Sequence, residues 1–396
     1  MAQGVRASVK DVRHRLSVGE LGSAPIVLGL VLIWIVFQGL NDAFLSPRNL
    51  SNLSVDIVGT GLIAVGVVFV LLIAEIDLSV GSVSGLAAAA FAVLNVRNGV
   101  PEWLALIIAM LTGAAVGAVH GVFVARVGVP AFVVTLAGLL GWNGLMLYVL
   151  GASGTVNLDD QGLVATLTSY YFSQAAAAYS LAALGTIAYF LASYQEARRR
   201  KAAEVPSRPL SRIALRTAVL MVIAFAAAHV LNQFQGLPLA LLIFLLIIVC
   251  LDFVLRRTPY GRQVFALGGG IEPARRAGIA VERVRISVFM VSGTMAAIGG
   301  LFLASRITSA SQTSGSGNLL LNAIAAAVIG GTSLYGGRGR TWSALLGILV
   351  IQSIASGMAL LGIQAAVQFM ITGGVLLAAV VLDSLTRRSQ RAHGRA

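Results

Sequence analysis

The chain alternates long apolar runs with short polar breaks from residue 24 almost to its end, and the runs have the length of a membrane crossing. A helix rising 1.5 Å per residue needs about 20 residues to cross a ~30 Å hydrocarbon core. Candidate spans fall at 24 to 40, 57 to 74, 79 to 95, 103 to 120, 131 to 150 and 175 to 194. A second set falls at 213 to 231, 237 to 255, 286 to 305, 319 to 334, 342 to 360 and 365 to 383. The pattern predicts an all-α, polytopic transmembrane helical bundle with about 12 spans. Two of them, 79 to 95 and 319 to 334, are short, and each reads either as a full crossing or as a re-entrant, broken helix.

Composition agrees with the pattern. Of the 396 residues 58% are hydrophobic and 11% charged, with a mean hydropathy of +0.90, against roughly a quarter charged in soluble domains. The 44 glycines suit close helix contacts in a bundle. The single cysteine, Cys250, lies inside the apolar run Pro238 to Leu255. It excludes an internal disulfide or a cysteine metal site and reads as an inert buried thiol.

A net charge of +13 would suit nucleic acid only on a soluble basic face, and the positions of the charges exclude that reading. With the N-terminus inside, strict alternation puts inside Arg126, the Arg198 to Arg216 stretch, Arg256 to Arg285, Arg338, Arg340, the tail from Arg387, and both lysines, Lys10 and Lys201. Only Arg48, Arg97 and Arg306 fall outside, so the positive-inside rule predicts an N-in, C-in chain. The basic segment Met1 to Ser23 precedes a run without an Ala-x-Ala site and reads as part of an uncleaved signal anchor.

This divides the chain into a cytoplasmic tail 1–23, a first transmembrane half 24–195, a cytoplasmic linker 196–212 and a second half 213–386 carrying an inner loop 256–285, with a tail 387–396. The linker, with Arg198, Arg199, Arg200, Lys201, Pro206 and Pro209, reads as a hinge. No loop is large enough for a soluble enzyme domain. The halves echo each other weakly. Gly61 to Gly85 is an apolar span, a polar break and another span, and Asn322 to Gly347 repeats the scheme with Gly330, Gly331, Thr332, Ser333, Gly336, Gly337 and Gly339 in the break. Matching interruptions in two halves point to a transport pathway, with simple loop turns as the plain alternative.

Three segments carry candidate chemistry. In Ala74 to Val83 two carboxylates, Glu75 and Asp77, stand with Ser79 and Gly81 between apolar runs. Carboxylates there are costly in hydrocarbon and should face the bundle interior, a cavity or the interface. Three readings stay open: residues of the path, Asp77 as a cap for the next helix, or a proton relay. The inner segment Gly268 to Ile279 puts Pro273 at the start of a short helix reaching Ala277. Glu272 stands at its positive end, four residues from Arg276, and Arg275 and Arg276 at its negative end. Such a helix suits a groove on a cytoplasmic partner, and a solvated loop is the plain alternative. Gly331 to Arg340 lacks the Gly-Lys-Ser/Thr ending and a preceding strand, so a Walker A loop is excluded. His14, His120, His229 and His393 have no carboxylate or cysteine at ligand spacing, which leaves no metal site and no catalytic constellation.

At four places the residues resemble the permeases of monosaccharide ABC importers of the ribose, xylose and galactose type: Leu45 to Leu53, Ala74 to Ser82, Leu267 to Ile279 and Ile329 to Gly337. The resemblance spans most of the chain. It implies a permease subunit that pairs with a second permease copy, docks cytoplasmic ATPase subunits below and meets a periplasmic sugar-binding protein above. By the same resemblance Glu272, Pro273, Ala274, Arg275, Arg276 and Gly278 form the ATPase-coupling helix. Glu75, Asp77, Ser79, Gly81, Gly331, Thr332 and Ser333 belong to the translocation core. The extra hairpin around Arg198 and the Glu75-Ile76-Asp77 run look like the xylose type, so the expected substrate is xylose, taken from the periplasm to the cytoplasm across the bacterial inner membrane. No cofactor is implied. The competing reading is a proton-coupled secondary transporter using Glu75 or Asp77.

Overall fold

The structure is a computed structural model, and it describes residues 24–207, 209–364, 366–374, 377 and 381. Both expected tails and much of the last expected span, 365 to 383, lie outside the described residues.

Helices α1 (Ala24–Leu40), α2 (Pro47–Leu72), α3 (Val80–Ala92), α4 (Glu102–Val122) and α5 (Ala131–Leu150) follow one another through short turns. A wide turn of π-helix carries α3 on to Arg97, and another carries α4 to Val127. After a short helix, α6 (Leu163–Ser169), come the hairpin α7 (Ala175–Ala202) and α8 (Leu210–Asn232), then α9 (Leu239–Arg257). The small helices α10 (Pro259–Gly269) and α11 (Ile271–Arg276) lead into α12 (Val281–Ile307), α13 (Leu319–Ile329) and α14 (Thr341–Leu360). Among the described residues nine of these helices are long and apolar enough to cross a membrane. Local chemistry sets the ends. Ser46 accepts from the Asn49 N–H at 3.3 Å with Pro47 in the first helical turn, and Thr258 with Pro259 repeats the device at α10.

Of the two short runs, 79 to 95 becomes a helix of crossing length, Val80–Arg97. The other stops after 11 residues, roughly 16 Å and half a crossing. The expected hinge is mostly helix, because α7 continues to Ala202 and α8 begins at Leu210. Its run of arginines and lysine favours helix once the preceding turn is formed.

Helix α2 is the axis, buried almost continuously from Leu53 to Leu72. Helix α12 packs along α2, α3 and α4, so the expected halves interlock instead of standing side by side. The α4–α12 contact rests on glycines four apart. A methyl group at Gly113 would lie 2.3 Å from Gly293 O, at Gly117 2.1 Å from Phe289 O, and at Gly121 2.6 Å from Ile286 Cα. Small residues at this spacing let two backbones touch, which is how helices associate without a hydrophobic drive. The α7–α8 hairpin lies outside this core and keeps a small cluster of its own around Ala178, Ala182, Ala228 and Leu231. Helix α1 lies against α14 through Ile26, Leu30, Ile33 and Phe37.

Two short antiparallel ladders tie the loops. Thr155–Asn157 (β1) pairs with Ser309–Ser311 (β4), and Tyr171–Phe172 (β2) pairs with Leu237–Pro238 (β3). Cys250, expected to be buried, is exposed on α9. That helix turns one face to the bundle and the other outward, and an apolar run does not say which face a residue takes.

Candidate translocation and coupling sites

The first break begins where α2 stops at Leu72. Ala74 takes a left-handed conformation (φ 62°) and its N–H returns to Leu71 O at 3.0 Å. Beyond this reversal Glu75 forms an ion pair with Arg285 in the first turns of α12, and Arg285 also reaches Val124 O at 3.4 Å. Asp77 is buried. Its Oδ1 accepts from the Ser79 N–H at 2.9 Å and the Ser79 hydroxyl at 2.6 Å, and its Oδ2 accepts from Ser292 Oγ at 3.0 Å. The backbone bond makes a turn just ahead of α3, whose cap position is held by Ser79 without a side-chain bond, so Asp77 does not cap the helix as expected. The bond to Ser292 adds a second role, tying the break to α12.

The chain of bonds continues through a residue that sequence reasoning set aside. His120, buried on α4, places Nδ1 3.3 Å from Ser79 Oγ, and its Nε2 lies 2.8 Å from Trp142 Nε1 on α5. An indole N–H only donates, so Nε2 is the acceptor and the proton of the neutral ring sits on Nδ1, facing Ser79. The network thus runs Trp142 to His120 to Ser79 to Asp77, each donating to the next, and it fastens α3, α4, α5 and α12 around one carboxylate. His120 lies 43 positions from Asp77 in sequence, beyond any local spacing rule.

The second break has two parts. Between α12 and α13 the chain turns into the bundle, so that a methyl group at Gly81 would sit 2.5 Å from Gly315 O and one at Gly85 2.2 Å from Ser314 O. Both glycines lie in the first half of α3, where the loop ahead of α13 passes against it. After α13, Gly331 takes φ 98°, which favours glycine. Thr332 and Ser333 are buried; the Thr332 N–H bonds Ala327 O at 3.0 Å and the Ser333 N–H bonds Arg338 O at 2.9 Å.

The two breaks and the inner loop converge on one spot. Gly337 N–H donates to Leu72 O at 2.9 Å, the last carbonyl of α2. A methyl group at Gly268, in α10, would lie 1.9 Å from Leu72 O and 2.5 Å from Gly337 N, and one at Gly336 would lie 2.8 Å from Gly268 O. Three segments widely separated in sequence touch backbone to backbone here, and only the absence of side chains permits it.

The short helix beyond it differs in detail from expectation. It spans Ile271–Arg276, not Pro273 to Ala277, and Pro273 occupies its third position. Gly270 (φ 157°) and Gly278 (φ 79°) open and close it. Glu272 pairs with Arg275, three residues on, at 3.1 Å. Both charges are largely exposed, while Ala274 is buried and seats the helix on the bundle.

A protein-family profile described as "Branched-chain amino acid transport system / permease component" matches residues 49–380. The chain belongs to this permease family. Relatives matched along nearly their whole length are named for sugars instead. They include the xylose transport system permease protein XylH of Escherichia coli, 37% identical over 92% of each chain. The ribose import permease protein RbsC of Bacillus subtilis is 32% identical over 90% of this chain and 91% of the relative. The D-allose transport system permease protein AlsC of Escherichia coli is 29% identical over 90% of each. No solved structure matches.

The protein is therefore a multi-pass permease of the bacterial inner membrane, a transport subunit of the ABC sugar-importer type and not an enzyme. The proton-coupled alternative is not favoured: the relatives are importer permeases, Glu75 is ion-paired and Asp77 is engaged on both oxygens.

Proposed function

We propose that this permease carries a monosaccharide, xylose in the first instance, into the cytoplasm, driven by ATP hydrolysed in partner subunits that dock on α11. The loops rich in arginine face the cytoplasm, a periplasmic sugar-binding protein delivers the sugar on the other side, and a second copy of the permease completes the assembly. The observation that carries this reading is the backbone joint at Leu72, Gly268 and Gly337. A force on α11 passes through α10 to Gly268, and from there directly onto the end of α2 and the loop between α13 and α14. In this reading Glu272, Pro273, Ala274, Arg275, Arg276 and Gly278 meet the ATPase. Glu75, Asp77, Ser79 and Gly81, with Gly331, Thr332 and Ser333, form the two breaks that the force acts on. Xylose is favoured over ribose and allose because the permease named for it is matched at higher identity along as much of the chain.

The test is uptake of labelled xylose in cells carrying the binding protein and ATPase, with membrane-inserted permease quantified in parallel. Deletion of Pro273 to Gly278 should abolish uptake while the protein stays in the membrane. Normal uptake by the deletion variant would sink the coupling role, and wild-type uptake of a hexose in preference to xylose would overturn the substrate.

A further inference from the structure

At the end of the α7–α8 hairpin where the basic linker lies, the two helices part to leave a cleft lined by Tyr189, Ser193, Glu196 and Arg200 of α7 and by Ile213 and Arg216 of α8. The four polar α7 residues, with Ala197 beside them, recur at intervals of four, three and four, which places them on one face of the helix. Glu196, the only carboxylate lining the cleft, is held by Arg200 at 3.3 Å, and Arg216 makes no ion pair among the described residues. The cleft therefore offers a surplus of guanidinium with a phenol and a hydroxyl beside it. Helix α7 starts at Ala175, and about 20 residues of crossing bring it to the level of Glu196. The cleft thus stands at the headgroup level of the bilayer.

We propose that this cleft binds the headgroup phosphate of an anionic phospholipid, Arg200 and Arg216 holding the phosphate oxygens. Guanidinium groups suit phosphate because their planar fork donates two parallel hydrogen bonds. A surplus of positive charge at the headgroup level fits the anionic headgroup of a membrane lipid. The proposal rests on membrane insertion alone and does not depend on the sugar or on the ATPase.

The full-length permease, delipidated in detergent and given equal amounts of phosphatidylglycerol and phosphatidylcholine, should retain phosphatidylglycerol when observed by native mass spectrometry. Arg216→Gln should weaken that retention roughly fivefold and Arg200→Gln by a similar factor. Arg212→Gln removes the same charge from the same turns of α8 but outside the cleft, and should change retention less than twofold. Arg216→Lys keeps the charge and should retain the preference, which provides the reading if Arg216→Gln lowers the melting temperature. No lipid preference in the wild type, or an equal loss in Arg212→Gln, would overturn the site. Displacement of phosphatidylglycerol by millimolar inorganic phosphate would assign the cleft to free phosphate and overturn the lipid.

Discussion

Helices α12 and α8 are almost equally apolar, with mean hydropathies of 1.9 and 2.0 over their best windows, yet 61% of that window is buried inside the protein for α12 and 11% for α8. Among the nine described helices of crossing length, the most apolar, α9 at 2.8, is only 22% buried. Hydropathy records transfer from water to hydrocarbon, and lipid serves as well as protein for that purpose. What separates α12 from α8 is the other kind of sequence signal: glycines and serines at positions that a neighbour's backbone must approach. Gly293, Gly299 and Gly300 of α12 each meet a backbone oxygen of another helix within 2.6 Å of where a methyl would be, whereas Gly185 on α7, α8's hairpin partner, has nothing within 4 Å.

The sharpest way to break this contrast is one enlargement made twice. Gly117→Leu drives a side chain into Phe289 O and should lower stability by about 3 kcal/mol or prevent assembly, read as loss of the monodisperse peak and melting temperature in detergent. Gly185→Leu adds the same atoms in open space and should leave both unchanged or slightly raised, since leaving glycine out of a helix interior gains about 0.5–1 kcal/mol. Similar losses in the two would mean that the hairpin is packed as tightly as the core. A smaller effect is expected from Asp77→Asn. The amide keeps the shape but turns one accepting oxygen into a donor, so a bond from Ser79 or Ser292 is lost with roughly 2 kcal/mol of stability. A melting temperature equal to wild type would show that the clasp contributes nothing. The smallest effect belongs to the exposed pair on α11. Glu272→Gln should cost no more than about 0.5 kcal/mol in stability, and a large loss there would place α11 inside the structural core.

The comparison also explains what could be read from the sequence. The spans were visible because each one must satisfy the bilayer over about 20 residues regardless of its neighbours; 131 to 150 coincides with Ala131–Leu150. The two breaks were visible because polar residues and glycines interrupt that requirement. The partners across space were not. His120 looks isolated on its own helix, and its tie to Asp77 exists only because α3 and α4 pack together. The misplaced bounds of α11 and the wrong burial of Cys250 share one cause: local spacing does not specify where a short helix ends or which side of a helix faces lipid. One missed signal was in plain sight, the run Gly113, Gly117, Gly121, whose four-residue spacing marks a helix-contact face.

The joint between Leu72 and Gly337 is made by peptide groups alone, and this shapes how selection can act on it. Leucine 72 can drift to other apolar residues without touching the bond, because its carbonyl is the same in all of them. Gly268 and Gly336 cannot drift at all, since the first carbon of any side chain lands on a neighbouring main chain. The joint through which we propose the stroke passes is therefore protected by what is missing from it. If the stroke does pass there, adding a single methyl group would disengage transport from its engine while leaving every charge and contact surface in place.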